Sequence, residues 1–248
     1  MNNLYNSLAA VYEAMYKTFI NYDEEFDLYK QMLVKYNCRS LVEIGCGTGN
    51  LASRFNADGF NYTGLDISED MLAIATQNNP GCTFLQAGMQ HFILPKEADA
   101  AIITGRTISY LLSNKEVMES MASINKNLKQ GGILCFDFID ANKFIPQVKK
   151  QSIIHKAVLG DKKFMRESFW TVNLNTGWGF DWLSVFYEEK EDGSRVKIGE
   201  DNSTIRAFTK DETILFLKLA GFEIKEIFWR VTYAFDTYVV VAEKIREL

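Results

Sequence analysis

Histidine is almost missing from this chain: His91 and His155 are the only two among 248 residues. A mechanism that relies on a histidine cluster is thereby excluded. The four cysteines, Cys38, Cys46, Cys82 and Cys135, form no CxxC pair and stand far apart. Each falls in or beside a strand-like run, where a free thiol behaves as a small buried hydrophobe, so a zinc site is not expected and a reduced compartment fits. Basic charge is not in excess either. With 27 Lys and Arg against 32 Asp and Glu, the net charge is −5 and the pI is near 5.2. A nucleic acid or an anionic membrane needs a basic footprint, so neither is expected as the main partner. No basic start leads into an apolar run, and no apolar stretch has the length to cross a bilayer, which predicts a cytoplasmic placement. Internal repeats and low-complexity segments are absent.

What remains is ordinary globular material, 47% hydrophobic and 24% charged, long enough for one large domain or two small ones. From residue 21 to residue 128 the pattern alternates. "YDEEFDLYKQMLVKY" carries apolar residues at helical spacing, and "RSLVEIG" reads as a buried strand. "TGNLASRFNADG" predicts a helix and "NYTGLDI" a strand. In "SEDMLAIATQN" the helix opens with Ser68 as N-cap. "CTFLQA" and "DAAIIT" are two more strands, "NKEVMESMASINKNLKQGG" a helix ended by Gly131 and Gly132, and "ILCFDF" a fifth strand. Such alternation builds a parallel sheet with helices on both faces. Past Phe144 the segment 150–208 turns aromatic and β-branched, broken by "NTG" and "EDGS" turns, and reads as an antiparallel meander. It is too short and too late for an independent domain, so it is expected as an inserted cap over the carboxyl edge of the sheet. Thr209 and Glu212 stand at capping-box spacing before a last helix, and two strands follow.

The stretch "LVEIGCGTGN" places Gly45, Gly47 and Gly49 straight after a hydrophobic run. A plain strand–helix turn needs one glycine; three at alternate positions mark a backbone that passes close to a ligand at the helix start. Asp66 ends the next strand, 21 positions beyond Gly45. An acid at this separation is placed to reach the ribose hydroxyls of an adenosine ligand. The dinucleotide fingerprint GxGxxG is not completed, because Asn50 stands where its third glycine belongs. A nicotinamide oxidoreductase is disfavoured on that ground.

The pattern present, ExGxGxG from Glu43 to Gly49, resembles the first motif of the class I S-adenosylmethionine-dependent methyltransferases. "GLDISEDMLAIA" resembles the second motif, "LQAGMQHF" the third, and "ADAAIITGRTISYLL" and "LKQGGILCFDF" the fourth and fifth. The N-terminal "AAVYEAMYKTFINYDEE" is similar to the lid of small-molecule N-methyltransferases acting on nucleotide-linked amino sugars and on glycine. The resemblance implies one Rossmann-like domain over 1–248, an α/β fold of seven strands ordered 3-2-1-4-5-7-6 with strand 7 antiparallel. Residues 1–37 would be its helical lid and 150–208 its β cap. It implies S-adenosylmethionine as cofactor, with Glu43 toward the ammonium, Gly45, Cys46 and Gly47 along the amino-acid end, and Asp66 on the ribose. Met71 would pack beside the adenine, with Ile67, Met89 and Thr104 as further cofactor-binding residues. Among Tyr12, Tyr16 and Tyr22, matched to lid tyrosines, one would meet the cofactor carboxylate. Gly88 departs from the third motif, which usually has an aspartate for the adenine amino group; Gln90 or a backbone carbonyl would replace it.

Methyl transfer from a sulfonium is an in-line displacement needing neither metal nor covalent intermediate. With two histidines, an amine or an already acidic acceptor is expected, a small molecule in either case. His91 reads as a loop residue and not a base. Acceptor contacts are expected at the ends of strands four and five, from Arg106, Tyr110 and Asp137. Arg106 reverses the charge usual at its place, and its partner is either Asp137 or an anionic group on the acceptor; the second is the expectation. Trp170, Trp178 and Trp182 read as packing of the cap onto the sheet. A non-catalytic cofactor-binding protein of the same fold is the alternative, motivated by Gly88. The acceptor itself and the choice between monomer and homodimer stay open.

Overall fold

The computed structural model describes residues 8–148, 152–232 and 235–248; residues 1–7 of the expected lid and 150–151 of the expected cap lie outside them. Strands β1 (Ser40–Ile44), β2 (Asn61–Asp66), β3 (Thr83–Gln86), β4 (Ala98–Ile103) and β5 (Leu128–Ile139) run parallel. After the cap strands β6 (Ile153–Leu159), β7 (Lys162–Asn173), β8 (Gly179–Glu189) and β9 (Arg195–Arg206), the chain returns as β10 (Phe222–Arg230) and β11 (Thr237–Lys244). The main sheet has the order β3-β2-β1-β4-β5-β11-β10, with β11 antiparallel to both neighbours. This is the expected 3-2-1-4-5-7-6 arrangement once the cap strands are set aside. The inner strands β1 and β4 and the carboxyl-terminal two thirds of β5 are buried on both sides, hence their unbroken apolar runs, whereas β3 at the edge is not.

Helices α2 (Tyr22–Lys35) and α3 (Ala52–Ala57) cover one face, burying Tyr29, Leu33 and Phe55. Helices α5 (Asn114–Asn127) and α6 (Lys210–Leu219) cover the other through Val117, Met121, Ile124 and Leu217. Helix α4 (Glu69–Asn78) starts where predicted, the Ser68 hydroxyl accepting the Met71 N–H at 3.3 Å. The Thr209–Glu212 capping box is also formed. One boundary differs. Helix α5 stops at Asn127 and not at the glycine pair, which lies inside β5. The buried Lys244 ammonium donates to the Asn125 and Leu128 carbonyls at 2.9 and 2.8 Å, satisfying helix-end acceptors before the glycines are reached.

The second sheet is an antiparallel meander, β6-β7-β8-β9. It leaves and rejoins the domain at one point, where the Phe208 N–H donates to the Ile139 carbonyl and the Ala141 N–H to the Phe208 carbonyl, both at 2.9 Å. The N-terminal segment divides between the two layers. Helix α1 (Ala9–Tyr16) buries Val11 and Met15 against Ala157, Phe164 and Phe186 of the cap, whereas α2 packs on the main sheet. No helix among the described residues is long and apolar enough to cross a membrane.

Candidate active site

Strand order reverses between β1 and β4, so their carboxyl ends open a crevice. The chain leaves β1 through Gly45, Gly47 and Gly49 at φ of +75°, +54° and +74°, a region in which a side chain is strained. Their surroundings differ. A Cβ on Gly45 would stand 2.5 Å from the Thr107 side chain, and one on Gly49 2.8 Å from the Asn79 amide. A Cβ on Gly47 would meet nothing within 4 Å. Two of the glycines therefore serve packing, and the middle one borders open space in which a ligand can approach the backbone.

Asp66 fastens this turn. Its Oδ2 accepts the Gly47 N–H and its Oδ1 the Ser68 N–H, each at 2.9 Å. A carboxylate oxygen can accept more than one hydrogen bond, so Asp66 is also chemically suited to a hydroxyl pair such as that of a ribose. Burial raises the Asp66 pKa, against the pull of the Ser68 and Gly47 N–H groups. Glu43, buried inside β1, accepts from the Tyr62 hydroxyl at 2.6 Å and the Thr104 hydroxyl at 2.7 Å. Burial pushes it up to about 7 in spite of both bonds. A cationic group arriving at Glu43 would favour its ionised form.

The crevice widens into a cavity of about 480 Å³ roofed by the cap. Tyr12, Tyr16 and Tyr22 line it from the N-terminal side; Glu43, Gly45, Cys46 and Gly47 from the first turn; and Asp66, Ile67 and Met71 from the second. Met89 and Thr104 complete the inner wall. Arg106, Tyr110 and Asp137 border the space toward the cap. Sequence reasoning thus named residues that the fold does gather. Gly88 is the correction. A tight turn closes it onto His91, whose N–H donates to the Gly88 carbonyl at 3.1 Å, and Gly88 does not line the cavity. Gln90 does, its Oε1 3.4 Å from where a Gly88 Cβ would stand.

Arg106 brings a second correction. It sits at φ +61°, is 7% exposed, and its backbone N–H donates to Asp137 Oδ1 at 3.2 Å. Its Nε lies 3.8 Å from Asp137 Oδ2, its guanidinium meets the Thr232 hydroxyl, and its Cζ stands 5.8 Å from the Phe235 ring centre. Of the two partners considered from sequence, the neighbouring-strand carboxylate is the one in place, because adjacent parallel strands bring residues 106 and 137 to the same edge. Burial raises the Asp137 pKa, the Arg106 charge opposing it.

The cap supplies what the sequence reading missed. Arg166 on β7 is 2% exposed and lines the cavity together with Trp170, Trp182 and His155. Trp178, the third tryptophan of the cap, is exposed. Strand alternation in "FMRESFW" sets Arg166 on the face of Phe164 and Trp170, an arginine in an apolar register, and that was the available signal. His155 accepts from the Arg166 guanidinium through Nδ1 at 3.1 Å. Burial first, and the Arg166 charge second, lower its pKa to about 4, so it is neutral at pH 7. His91 is exposed, as a loop residue should be.

Comparison with known proteins agrees with this geometry. Residues 41–132 match the methyltransferase domain family. The putative methyltransferase YqeM of Bacillus subtilis (strain 168) is 26% identical over 231 residues, 90% of this chain and 88% of that one. The dTDP-3-amino-3,4,6-trideoxy-alpha-D-glucopyranose N,N-dimethyltransferase of Streptomyces venezuelae is 32% identical over 95 residues, 38% of this chain and 40% of its own. At identities of 32 to 33% the chain spans half the length of its curated relatives or less. An amino pentose methyltransferase from Micromonospora echinaspora, solved with S-adenosylmethionine bound, superposes with a TM-score of 0.78 at 20% identity, covering 94% of this chain and 96% of that one.

Proposed function

We propose that this chain, which carries an S-adenosylmethionine-dependent methyltransferase domain, methylates the nitrogen of a small-molecule amine. The observation that carries the reading is a single cavity bounded by the glycine turn and Asp66 at one end and by the cap at the other. S-adenosylmethionine supplies an electrophilic methyl group on a sulfonium, ready for in-line displacement. The chain's own residues bind, orient and exclude water. Gly47 lets the backbone come close, Asp66 offers acceptors to the ribose, and Glu43 offers a carboxylate to the ammonium. Gln90 stands where the missing aspartate of the third motif would reach, which supports an amide acceptor for the adenine amino group. Tyr12 and Tyr22 close the N-terminal side. Holding two reactants in line can supply about 7–11 kcal/mol of the barrier, so a rigid cleft and a roof are the essential parts.

The choice of nitrogen rests on the two histidines and Asp137, each of which is engaged or outside the cavity among the described residues. His155 is neutral but already accepts from Arg166, His91 lies outside the cavity, and Asp137 is engaged with Arg106. An amine that arrives uncharged needs no base to attack. The Streptomyces venezuelae relative is itself named for methylation of an amino sugar, which supports the same assignment. The test is consumption of S-adenosylmethionine over a panel of small amines, phenols and carboxylic acids. Turnover confined to phenols would overturn the nitrogen assignment, and cofactor binding without turnover on any acceptor class would favour the non-catalytic alternative.

A further inference from the structure

The cap side of the cavity presents hydrogen-bond donors that have no acceptors among the described residues. Arg166 Nε, Trp170 Nε1 and Trp182 Nε1 are all buried with no hydrogen-bond partner among the described residues, and all three side chains line this one cavity. Among the described residues Arg166 has one hydrogen-bonding neighbour, His155, and three aromatic ones. Its Cζ lies 5.1 Å from the ring centre of Tyr16 and 5.7 Å from those of Phe19 and Trp182. None of its ion-pairing atoms reaches a carboxylate within 4.0 Å among the described residues, in contrast to Arg106 with Asp137. The strand register explains why. Arg166 pairs with His155 across β6–β7, and Trp170 with Trp182 across β7–β8, all on one face of the sheet. The acids next to them in sequence, Glu167 and Asp181, fall on the opposite face by alternation.

A desolvated guanidinium without a counter-charge is unfavourable unless something else completes it. Two indole N–H groups orphaned beside it point the same way, because indole can donate only. The chemical complement is a group that only accepts, which is an oxyanion.

We propose that Arg166, Trp170 and Trp182 form an oxyanion subsite that grips a carboxylate or phosphate on the methyl acceptor and turns its amine toward the cofactor end. The subsite rests on the reading that the acceptor enters this cavity, and it supplies the group chemistry which that reading leaves open. Arginine suits the task through its planar fork, and the indoles add direction without charge. Arg106 and Asp137 belong to a neighbouring pair that is already balanced.

The experiment uses the full chain saturated with S-adenosylhomocysteine and titrates acetate, inorganic phosphate and, as a neutral control, acetamide. Heat of binding and tryptophan fluorescence are the readouts. Acetate or phosphate should bind and acetamide should not, and the stronger of the two anions identifies the source of the oxyanion. Arg166→Gln should weaken the anion by about tenfold or more, as loss of a charge-assisted bond does. Trp182→Phe keeps the ring, loses the N–H, and should weaken it by a smaller factor. Neither change should move S-adenosylhomocysteine affinity. Arg166→Met should raise the Tm of the anion-free protein and abolish the Tm gain that the anion gives the parent chain. Failure of both anions to bind, equal binding of acetamide, or unchanged anion affinity in both Arg166→Gln and Trp182→Phe would overturn the subsite. Failure of S-adenosylhomocysteine to bind the parent chain would instead count against the cofactor reading beneath it.

Discussion

Three alanine substitutions of identical chemistry in the glycine turn should give three different results. Gly45, Gly47 and Gly49 all have positive φ, where a Cβ costs about 1–2 kcal/mol, partly offset by about 0.4–1 kcal/mol from the stiffer unfolded chain. For Gly47→Ala nothing further is added, since its Cβ meets no atom within 4 Å. A net loss near 1 kcal/mol lowers Tm by roughly 2–4 °C in a chain of this size. Gly45→Ala adds a 2.5 Å clash with Thr107, and overpacking of that kind costs about 1–3 kcal/mol more. Its Tm should fall by about 4–16 °C. Gly49→Ala lies between them, because its nearest obstacle is the Asn79 amide, which would have to give up its bond to the Gly49 carbonyl. Binding should not follow the stability order. The methyl of Gly47→Ala enters the cavity and should weaken S-adenosylhomocysteine by about tenfold or more, as 1–3 kcal/mol of crowding implies. Differential scanning calorimetry and isothermal titration on the same samples measure both quantities. Adding Thr107→Ala should restore part of the Gly45→Ala loss and none of the Gly47→Ala loss, a coupling expected only for residues in contact. If Gly47→Ala unfolds as early as Gly45→Ala, or binds like the parent, the division of labour among the glycines is wrong.

Three further outcomes are expected. Asp66→Ala should cost about 1.5–3 kcal/mol of cofactor binding and also lower Tm, since the Gly47 and Ser68 N–H groups lose their acceptor; unchanged affinity by titration would refute the ribose contact. Glu43 has a folded pKa raised to about 7 from 4.5, so the folded state holds its proton more tightly and stability falls as pH rises between those values, by about 3 kcal/mol in total. Glu43→Gln should remove that slope, and superimposable Tm–pH curves for parent and variant would sink the assignment. Arg106→Gln strands the buried Asp137 carboxylate and should cost about 3–5 kcal/mol in urea unfolding, with Asp137→Asn in the same chain restoring most of it; additive losses would deny the pair.

Much of the molecule is legible in local pattern. The alternation of apolar runs, the caps at Ser68 and Thr209 and the positive-φ glycines after β1 depend on neighbours within a few residues, and all appear where sequence places them. The glycine spacing with Asp66 marks a candidate nucleoside end of the cavity for the same reason, because a strand, a turn and the next strand form one continuous unit. The end of α5 was misplaced because the group that satisfies its carbonyls, Lys244, comes from more than a hundred residues away. Gly88 lacks the acid usual in the third motif, and Gln90, one of the two replacements considered from sequence, has its side chain alongside Gly88 in space.

The sequence by itself determined the sheet and the turn, since each rests on short-range periodicity and backbone geometry; S-adenosylmethionine as cofactor was implied by the resemblance of the motifs to a known family. Only the tertiary structure decided which arginine has a counter-charge. Arg106 and Arg166 are the same residue type, both buried and both facing one cavity, but Asp137 reaches the first from an adjacent strand, while Glu167, the carboxylate beside the second in sequence, falls on the opposite face of the cap sheet by alternation. A charge is completed or left open by whatever lies a few ångströms away in space, and that distance is set by register and strand order.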